Sequence, residues 1–92
     1  ASEQREQRQL VAFLLDRGRR LFQQEKDAEA IAELRRAVYL APYEAEAHLL
    51  LGRIYLRTGR EKEAVDALTI SVWSDPSNAE ARTLLERITS TK

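Results

Sequence analysis

The sequence lacks cysteine and contains a single histidine, and both shortages limit its chemistry. Without cysteine the chain can form neither a disulfide framework nor a thiolate metal site. His48 has no second histidine with which to share a metal ion, and no cluster of acidic residues has the spacing of a ligand set. We therefore expect no metal site and no cofactor.

Long apolar runs and an excess of charge are also missing. The longest apolar run is the six residues from Leu10 to Leu15, whereas a membrane-spanning helix needs about 20. Fifteen basic and 15 acidic residues give a formal net charge of zero, so no overall charge attracts nucleic acid or an acidic membrane surface. We expect a soluble domain that does not bind nucleic acid and does not insert directly into a membrane.

The residue patterns of common enzymes are absent as well. The serines have no histidine base near them in sequence, and none of the three glycines belongs to a phosphate-binding loop. The paired carboxylates Glu44 and Glu46, like Glu61 and Glu63, fall at predicted helix starts, where negative charge stabilises the helix. We therefore predict that the chain is not an enzyme.

What the sequence does contain is an internal repeat with a period of 34 residues. Gly18, Ala30, Leu34 and Pro42 recur as Gly52, Ala64, Leu68 and Pro76, and Ala37 returns as the small Ser71. Such a period is the signature of a repeated helical hairpin. We place one repeat at residues 11–44, the second at 45–78 and a C-terminal capping helix at 79–92, after an N-terminal helix extension at 1–10. The 92 residues then form a single small domain.

Apolar spacing and helix-end signals predict five helices in this arrangement. Pro42 disfavours helical geometry at the residue before it, Gly59 suits the chain reversal after a helix, and Asn78 is a good N-cap. The expected helices are Glu3–Gln24, Asp27–Leu40, Tyr43–Thr58, Glu61–Trp73 and one that begins at Asn78. The small residues would let paired helices approach closely, with Gly18 against Ala30 and Gly52 against Ala64.

The repeat resembles the tetratricopeptide (TPR) family. The second repeat carries the family's pattern at His48, Leu51, Gly52, Tyr55, Gly59, Ala64, Leu68, Ser71 and Pro76, whereas the first departs from it at Arg17, Leu21 and Glu25. The resemblance implies an all-α fold of tandem antiparallel hairpins in a short right-handed superhelix. It also implies a non-enzymatic scaffold that binds other proteins, in which His48 takes the place of a packed aromatic residue.

In this family the first helix of each hairpin lines a concave groove that binds peptides. By resemblance, the groove residues here are Leu15, Asp16, Arg19, Phe22, Gln23, Leu49, Leu50, Arg53, Leu56, Arg57, Leu84 and Arg87. Arg19, Arg53 and Arg87 share one repeat position, which predicts a ladder of arginines about 10 Å apart. Guanidinium groups beside apolar side chains favour an acidic peptide with interspersed hydrophobic residues. The Lys and Asn carboxylate clamp of chaperone-binding relatives is absent, since its positions hold Leu15, Arg19 and Leu50.

A second surface is the alternative. The family usually has a charged residue where this chain has Tyr39 and, 34 residues later, Trp73, with Ile70 one turn before the tryptophan. Exposed aromatic residues are enriched in protein interfaces. These three residues, the outer aromatic patch, predict homo-oligomerisation or docking in a larger scaffold as the alternative function.

The compartment is not identified by these residues, and we expect a soluble cytoplasmic or periplasmic domain. Arginine makes up 12 of the 15 basic residues, a bias that, with phrases such as DPSNAEAR, suggests a bacterial source. Because the sequence starts at Ala1 rather than Met, we expect it to be part of a larger protein.

Overall fold

A computed structural model describes residues 2–90, and these residues form five α-helices joined by short turns. The helices are α1 (Ser2–Gln23), α2 (Asp27–Leu40), α3 (Ala45–Arg57), α4 (Glu61–Ser74) and α5 (Ala79–Ser90). No strand occurs in this part of the chain, so the predicted all-α class is confirmed. Ala1, the first residue of the predicted extension, lies outside the described residues. So do Thr91 and Lys92, the last two residues of the predicted capping helix.

The turn inside each hairpin closes in the same way. The amide of Lys26 donates to the carbonyl of Leu21 at 2.9 Å, and the amide of Arg60 donates to the carbonyl of Tyr55 at 2.7 Å. The residue before each of these amides has a positive φ, 79° at Gly59 and 60° at Glu25. Glycine takes this conformation without a Cβ penalty, whereas Glu25 adopts it at a cost. The turn is therefore retained in the first repeat despite the loss of its glycine.

The connections between hairpins are set by the prolines. Ala41 and Asp75 precede Pro42 and Pro76 and have φ values of −136° and −144°, which end α2 and α4. The predicted start of α3 at Tyr43 is wrong by two residues, because Pro42 and Tyr43 form a turn and the helix begins at Ala45. The expected N-cap at the last helix is confirmed, since the side-chain oxygen of Asn78 accepts the amide of Ala81 at 3.1 Å.

Each helix packs on its neighbour in sequence, as in a repeat solenoid. The helix α3 lies at the centre, where it contacts α2 and α4 and also reaches α1. Leu14, Leu34, Ile54 and Leu68 are the large apolar side chains that are completely buried. The core is thus a single continuous layer between the hairpins, and α3 is buried along most of its length.

The helical glycines allow the two helices of a hairpin to approach, but their partners differ from those we expected. A Cβ at Gly18 would lie 2.6 Å from a methyl carbon of Leu34, and one at Gly52 would lie 2.7 Å from Leu68. The leucines, and not Ala30 and Ala64, are therefore the nearest neighbours of the glycines. The close contact still depends on the missing side chain, because no real Cβ fits at that distance.

Two buried polar side chains join helices across the core. His48 is 6% exposed, and its Nε2 donates to the carbonyl of Pro42 at 2.8 Å. The hydroxyl of Ser71 is completely buried and donates to the carbonyl of Ala45 at 2.9 Å. Both contacts satisfy a polar group that would otherwise be buried without a partner. His48 therefore packs in the fold, in agreement with the sequence-based expectation.

None of the helices within residues 2–90 is both long and apolar enough to cross a bilayer.

Candidate protein-binding surface

The first helices of the hairpins, together with α5, adjoin along one face, which we call the concave face. Arg19 of α1 forms an ion pair with Glu46 of α3, and Arg53 of α3 forms one with Glu80 of α5 at 3.0 Å. Both pairs join residues 27 apart in sequence, so the same contact repeats with the 34-residue period. Two arginines of the predicted ladder, Arg19 and Arg53, are thus each paired with a glutamate of the next helix on this face.

These ion pairs place carboxylates of the chain itself beside groove arginines that we expected to favour an acidic peptide. Arg19 also contacts Asp16 at 3.6 Å, and Arg57 binds the carboxylate of Asp27. Three of the four arginines assigned to the groove therefore lie beside a carboxylate of the chain itself. The charge of the face is therefore balanced where these pairs lie. The sequence-based prediction did not count the glutamate 27 residues after Arg19 and after Arg53 as a partner of the arginine.

Arg87 differs from the other members of the ladder. It is exposed on α5, and within residues 2–90 it has no ion pair. In α1, Ala12 occupies the repeat position that Glu46 occupies in α3 and Glu80 occupies in α5. The repeated ion pair therefore stops at both ends of the described structure, which leaves one arginine there for a ligand.

Phe22 is held by arginines and is not fully open to a ligand. Its ring lies 4.9 Å from the guanidinium carbon of Arg53 and 4.3 Å from that of Arg57, distances that allow cation–π attraction. Arg57 also donates to the carbonyl of Phe22 at 3.1 Å. Phe22, which we expected to contact a peptide, thus joins α1 to α3.

The other predicted groove residues separate by exposure. Leu15, Leu49 and Leu50 are buried and form the floor between helices. Leu56 and Leu84 are half-buried, and Gln23 is exposed. Apolar contact with a ligand is therefore restricted to the half-buried leucines, while the buried ones support the helices beneath them.

A cavity of about 550 Å³ lies at the α1 end of the concave face. Its walls are Gln4, Gln7, Arg8, Val11, Ala12, Leu15, Leu40, Ala41 and Glu44. One wall is fixed by Gln7, whose side-chain amide donates to the carbonyl of Leu40 at 2.7 Å. The sequence-based prediction missed this site because it assigned residues 1–10 only to an N-terminal helix extension. The signal was present in Gln4, Gln7 and Val11, which lie on one side of a helix at steps of three and four.

Two ion pairs shift pKa values without forming a catalytic group. The hydrogen bond that Arg57 donates to the carboxylate of Asp27 raises the pKa of Arg57 above its ordinary value. The hydrogen bond from Arg60 lowers the pKa of Glu63, and Arg60 reaches that carboxylate at 2.7 and 2.6 Å. All three groups keep their charge near neutral pH, so these contacts act as fixed links between elements.

The outer aromatic patch lies on the second helices of the hairpins. Tyr39 is 85% exposed and Trp73 is 77% exposed, whereas Ile70 is half-buried. Tyr43, which the sequence-based prediction omitted, is also exposed in the turn before α3. Tyr39 and Trp73 are thus open to solvent as expected, whereas Ile70 is only partly so.

Comparison with known proteins identifies the repeat. Residues 18–59, from the middle of α1 to the turn after α3, match the family model described as TPR repeat. A search of curated proteins found no match to the chain. The matched segment contains one complete turn of each kind, and the glycines and leucines of the close helix contact recur in phase with it. Residues 18–59 are thus similar to a tetratricopeptide repeat, and the five helices are consistent with an array of such repeats, which generally mediate contacts between proteins.

Proposed function

We propose that the chain is a non-enzymatic module that binds a peptide segment of a partner protein on its concave face. The observation that carries this proposal is the cavity between α1 and the start of α3, which is large enough to accept a side chain of the ligand. Val11, Ala12 and Leu15 supply an apolar wall, and Arg8 and Glu44 supply charge at its edges. An apolar residue of the peptide would enter the cavity.

Electrostatic selection would come mainly from the two ends of the face. Arg8 at the cavity and Arg87 on α5 are exposed, and neither forms an ion pair within residues 2–90. Arg19 and Arg53 already have carboxylate partners, so a ligand carboxylate gains less there. Exposed ion pairs contribute at most about 1 kcal/mol, so the apolar contact in the cavity has to supply most of the affinity. The preferred ligand is a peptide with a leucine-like side chain beside a carboxylate.

Fluorescence anisotropy with a labelled peptide of alternating leucine and glutamate residues tests this proposal. A matched peptide with glutamine in place of each glutamate reports the electrostatic part. Ala12→Trp fills the cavity from an exposed position and should weaken binding by about tenfold or more. Ala32→Trp, at an exposed alanine on α2 outside the cavity, is the control and should leave binding unchanged. Arg8→Glu should weaken the glutamate peptide more than the glutamine peptide.

The proposal is wrong if Ala12→Trp and Ala32→Trp bind the peptides equally well while both keep wild-type circular dichroism. Equal affinity for the two peptides would reject the carboxylate part and leave only the apolar contact.

The outer aromatic patch supports homo-oligomerisation or docking as a second candidate. Tyr39 and Trp73 are large aromatic side chains that are mostly exposed, and a net charge of zero puts no repulsion between copies. Light-scattering mass over a range of concentrations should then show a dimer that Trp73→Glu abolishes. A monomer at every concentration would remove self-association from consideration.

A further inference from the structure

The cavity at the α1 end of the concave face is lined by two opposite charges that do not pair with each other. Arg8 of α1 and Glu44, the residue before α3, both line it. Within residues 2–90 neither of them forms an ion pair. The ligand carboxylate proposed above would meet Arg8, which leaves Glu44 without a role in binding.

Glu44 is a half-buried carboxylate that makes a single hydrogen bond within the described chain. Its Oε2 accepts the amide of Glu46 at 3.3 Å, and Glu44 is thereby the N-cap of α3. A carboxylate can accept about four hydrogen bonds, so most of this capacity is unused. Because a half-buried charge is screened less by water than an exposed one, it gains more from a partner of opposite charge.

Capping and helix polarity do not account for a glutamate at this position. The equivalent residue of the second repeat is Asn78, whose side-chain oxygen accepts the amide of Ala81 at 3.1 Å. Asparagine and aspartate are among the best N-caps, and aspartate would also bring the negative charge that a helix start favours. Glutamate adds a longer side chain to these two effects, and that side chain lines the cavity.

The rest of the cavity suits the side chain of a lysine. Gln7 donates from its side-chain nitrogen to the carbonyl of Leu40 at 2.7 Å, so its oxygen remains as an acceptor. Val11 and Leu15 are buried beside it and present apolar surface. A lysine can lay its methylene groups along such surface while its ammonium meets oxygen acceptors. Glu44 would supply the charged acceptor and Gln7 a neutral one.

We propose that Glu44 selects a lysine in the ligand, so that the concave face binds a peptide segment in which acidic, leucine-like and lysine side chains follow one another. This inference rests on the peptide-binding function proposed above and defines the chemical class of its partner. Side chains on one face of an extended peptide recur at every second residue, about 7 Å apart. The glutamate would meet Arg8, the leucine would contact Val11 and Ala12, and the lysine would reach Glu44.

Two pairs of labelled peptides, capped at both ends, test the role of Glu44. The first pair has the order Glu-Ser-Leu-Ser-Lys and the second has the reverse order, and in each pair the second member has glutamine in place of lysine. Because Arg8 and Glu44 differ in charge, only one order can satisfy both. In fluorescence anisotropy, the lysine peptide of that order should bind the wild-type chain about three- to fivefold tighter than its glutamine partner.

Variants of the chain locate the effect at one carboxylate. Glu44→Gln removes the charge but keeps an oxygen that can accept the amide of Glu46, and it should abolish the preference for lysine. Glu44→Lys should make the lysine peptide bind more weakly than its glutamine partner, because like charges repel. Glu29→Gln is the matched control, at an exposed glutamate in the first turn of α2 outside the cavity, and should keep the wild-type preference.

The inference is overturned if neither lysine peptide binds the wild-type chain better than its glutamine partner. It is also overturned if Glu44→Gln keeps the preference while its circular dichroism is unchanged. Ala12→Trp, which fills the cavity, distinguishes the two proposals. If it weakens every peptide and lysine makes no difference, the peptide site is retained and the role of Glu44 is rejected. If it weakens none of them, the peptide-binding proposal fails, and the role of Glu44 fails with it.

Discussion

Glu25 is the residue at which this chain departs most from its own repeat. It holds a φ of 60° at the position where the second repeat has Gly59 at 79°. A residue with a Cβ in this region costs about 1–2 kcal/mol, whereas glycine adds flexibility to the unfolded chain worth about 0.4–1 kcal/mol. Glu25→Gly should therefore raise the free energy of unfolding by about 0.5–1 kcal/mol, as measured by urea denaturation.

The control for this prediction is Glu25→Ala, which removes the charge and keeps the Cβ. Alanine should give less stabilisation than glycine, since the strained backbone remains. If alanine and glycine stabilise the chain equally, the effect comes from the charge of Glu25 near Arg57 and not from φ.

Gly52 is the residue on which the packing of the second hairpin depends. Its added Cβ would lie 2.7 Å from both Cγ and Cδ2 of Leu68, which is completely buried, so the leucine or a helix would have to shift. Overpacking costs about 1–3 kcal/mol, partly offset by about 1 kcal/mol from the better helix propensity of alanine. Gly52→Ala should therefore lower the free energy of unfolding, by up to about 2 kcal/mol.

The double variant Gly52→Ala with Leu68→Ala distinguishes contact from backbone effects. If the cost arises from this contact, the double variant should lose less than the sum of the two single variants. Additive losses would show that Leu68 does not oppose Gly52 in solution.

At the scale of elements, the repeated ion pair joins each first helix to the next. Arg53 and Glu80 link α3 to α5 at 3.0 Å, and both side chains are about half exposed. Such a pair contributes about 0.2–1 kcal/mol, so Arg53→Glu alone should destabilise the chain slightly through repulsion from Glu80. Adding Glu80→Arg should restore most of the loss, which a double-mutant cycle by thermal denaturation would measure.

This cycle also bears on function. A coupling energy near zero would mean that Arg53 is free to bind a ligand carboxylate, and the corrected description of the concave face would be wrong at that position.

The link between Arg60 and Glu63 gives the start of α4 a pH dependence. The hydrogen bond from Arg60 lowers the pKa of Glu63, so its contribution to stability is present above the usual range of glutamate. It is lost as the pH falls through this lowered pKa. Arg60→Ala should raise the pKa of Glu63 toward the ordinary value in a carboxyl NMR titration. An unchanged titration curve would show that the ion pair does not persist in solution.

At the scale of the whole molecule, most of the fold could be predicted from the sequence and much of the site could not. The 34-residue period, Pro42, Gly59 and Asn78 locate helices and turns because each of these signals is local. The start of α3 was misplaced because the sequence does not show how long the turn after Pro42 is. Pairing between Arg53 and Glu80, and the cavity beside Ala12, depend on how separate helices approach. The spacing of Gln4, Gln7 and Val11 indicates only the α1 wall of the cavity.

The whole-molecule claim is that the concave face, from the cavity to Arg87, is the surface that binds a peptide. An NMR titration of the isotope-labelled chain with the leucine–glutamate peptide tests it most directly, because every backbone amide reports separately. The account predicts saturable shifts at Ala12, Leu15 and Glu44, weaker ones at Arg87, and none at Tyr39 or Trp73. Shifts confined to Tyr39, Ile70 and Trp73, with the amides around the cavity unmoved, would contradict it.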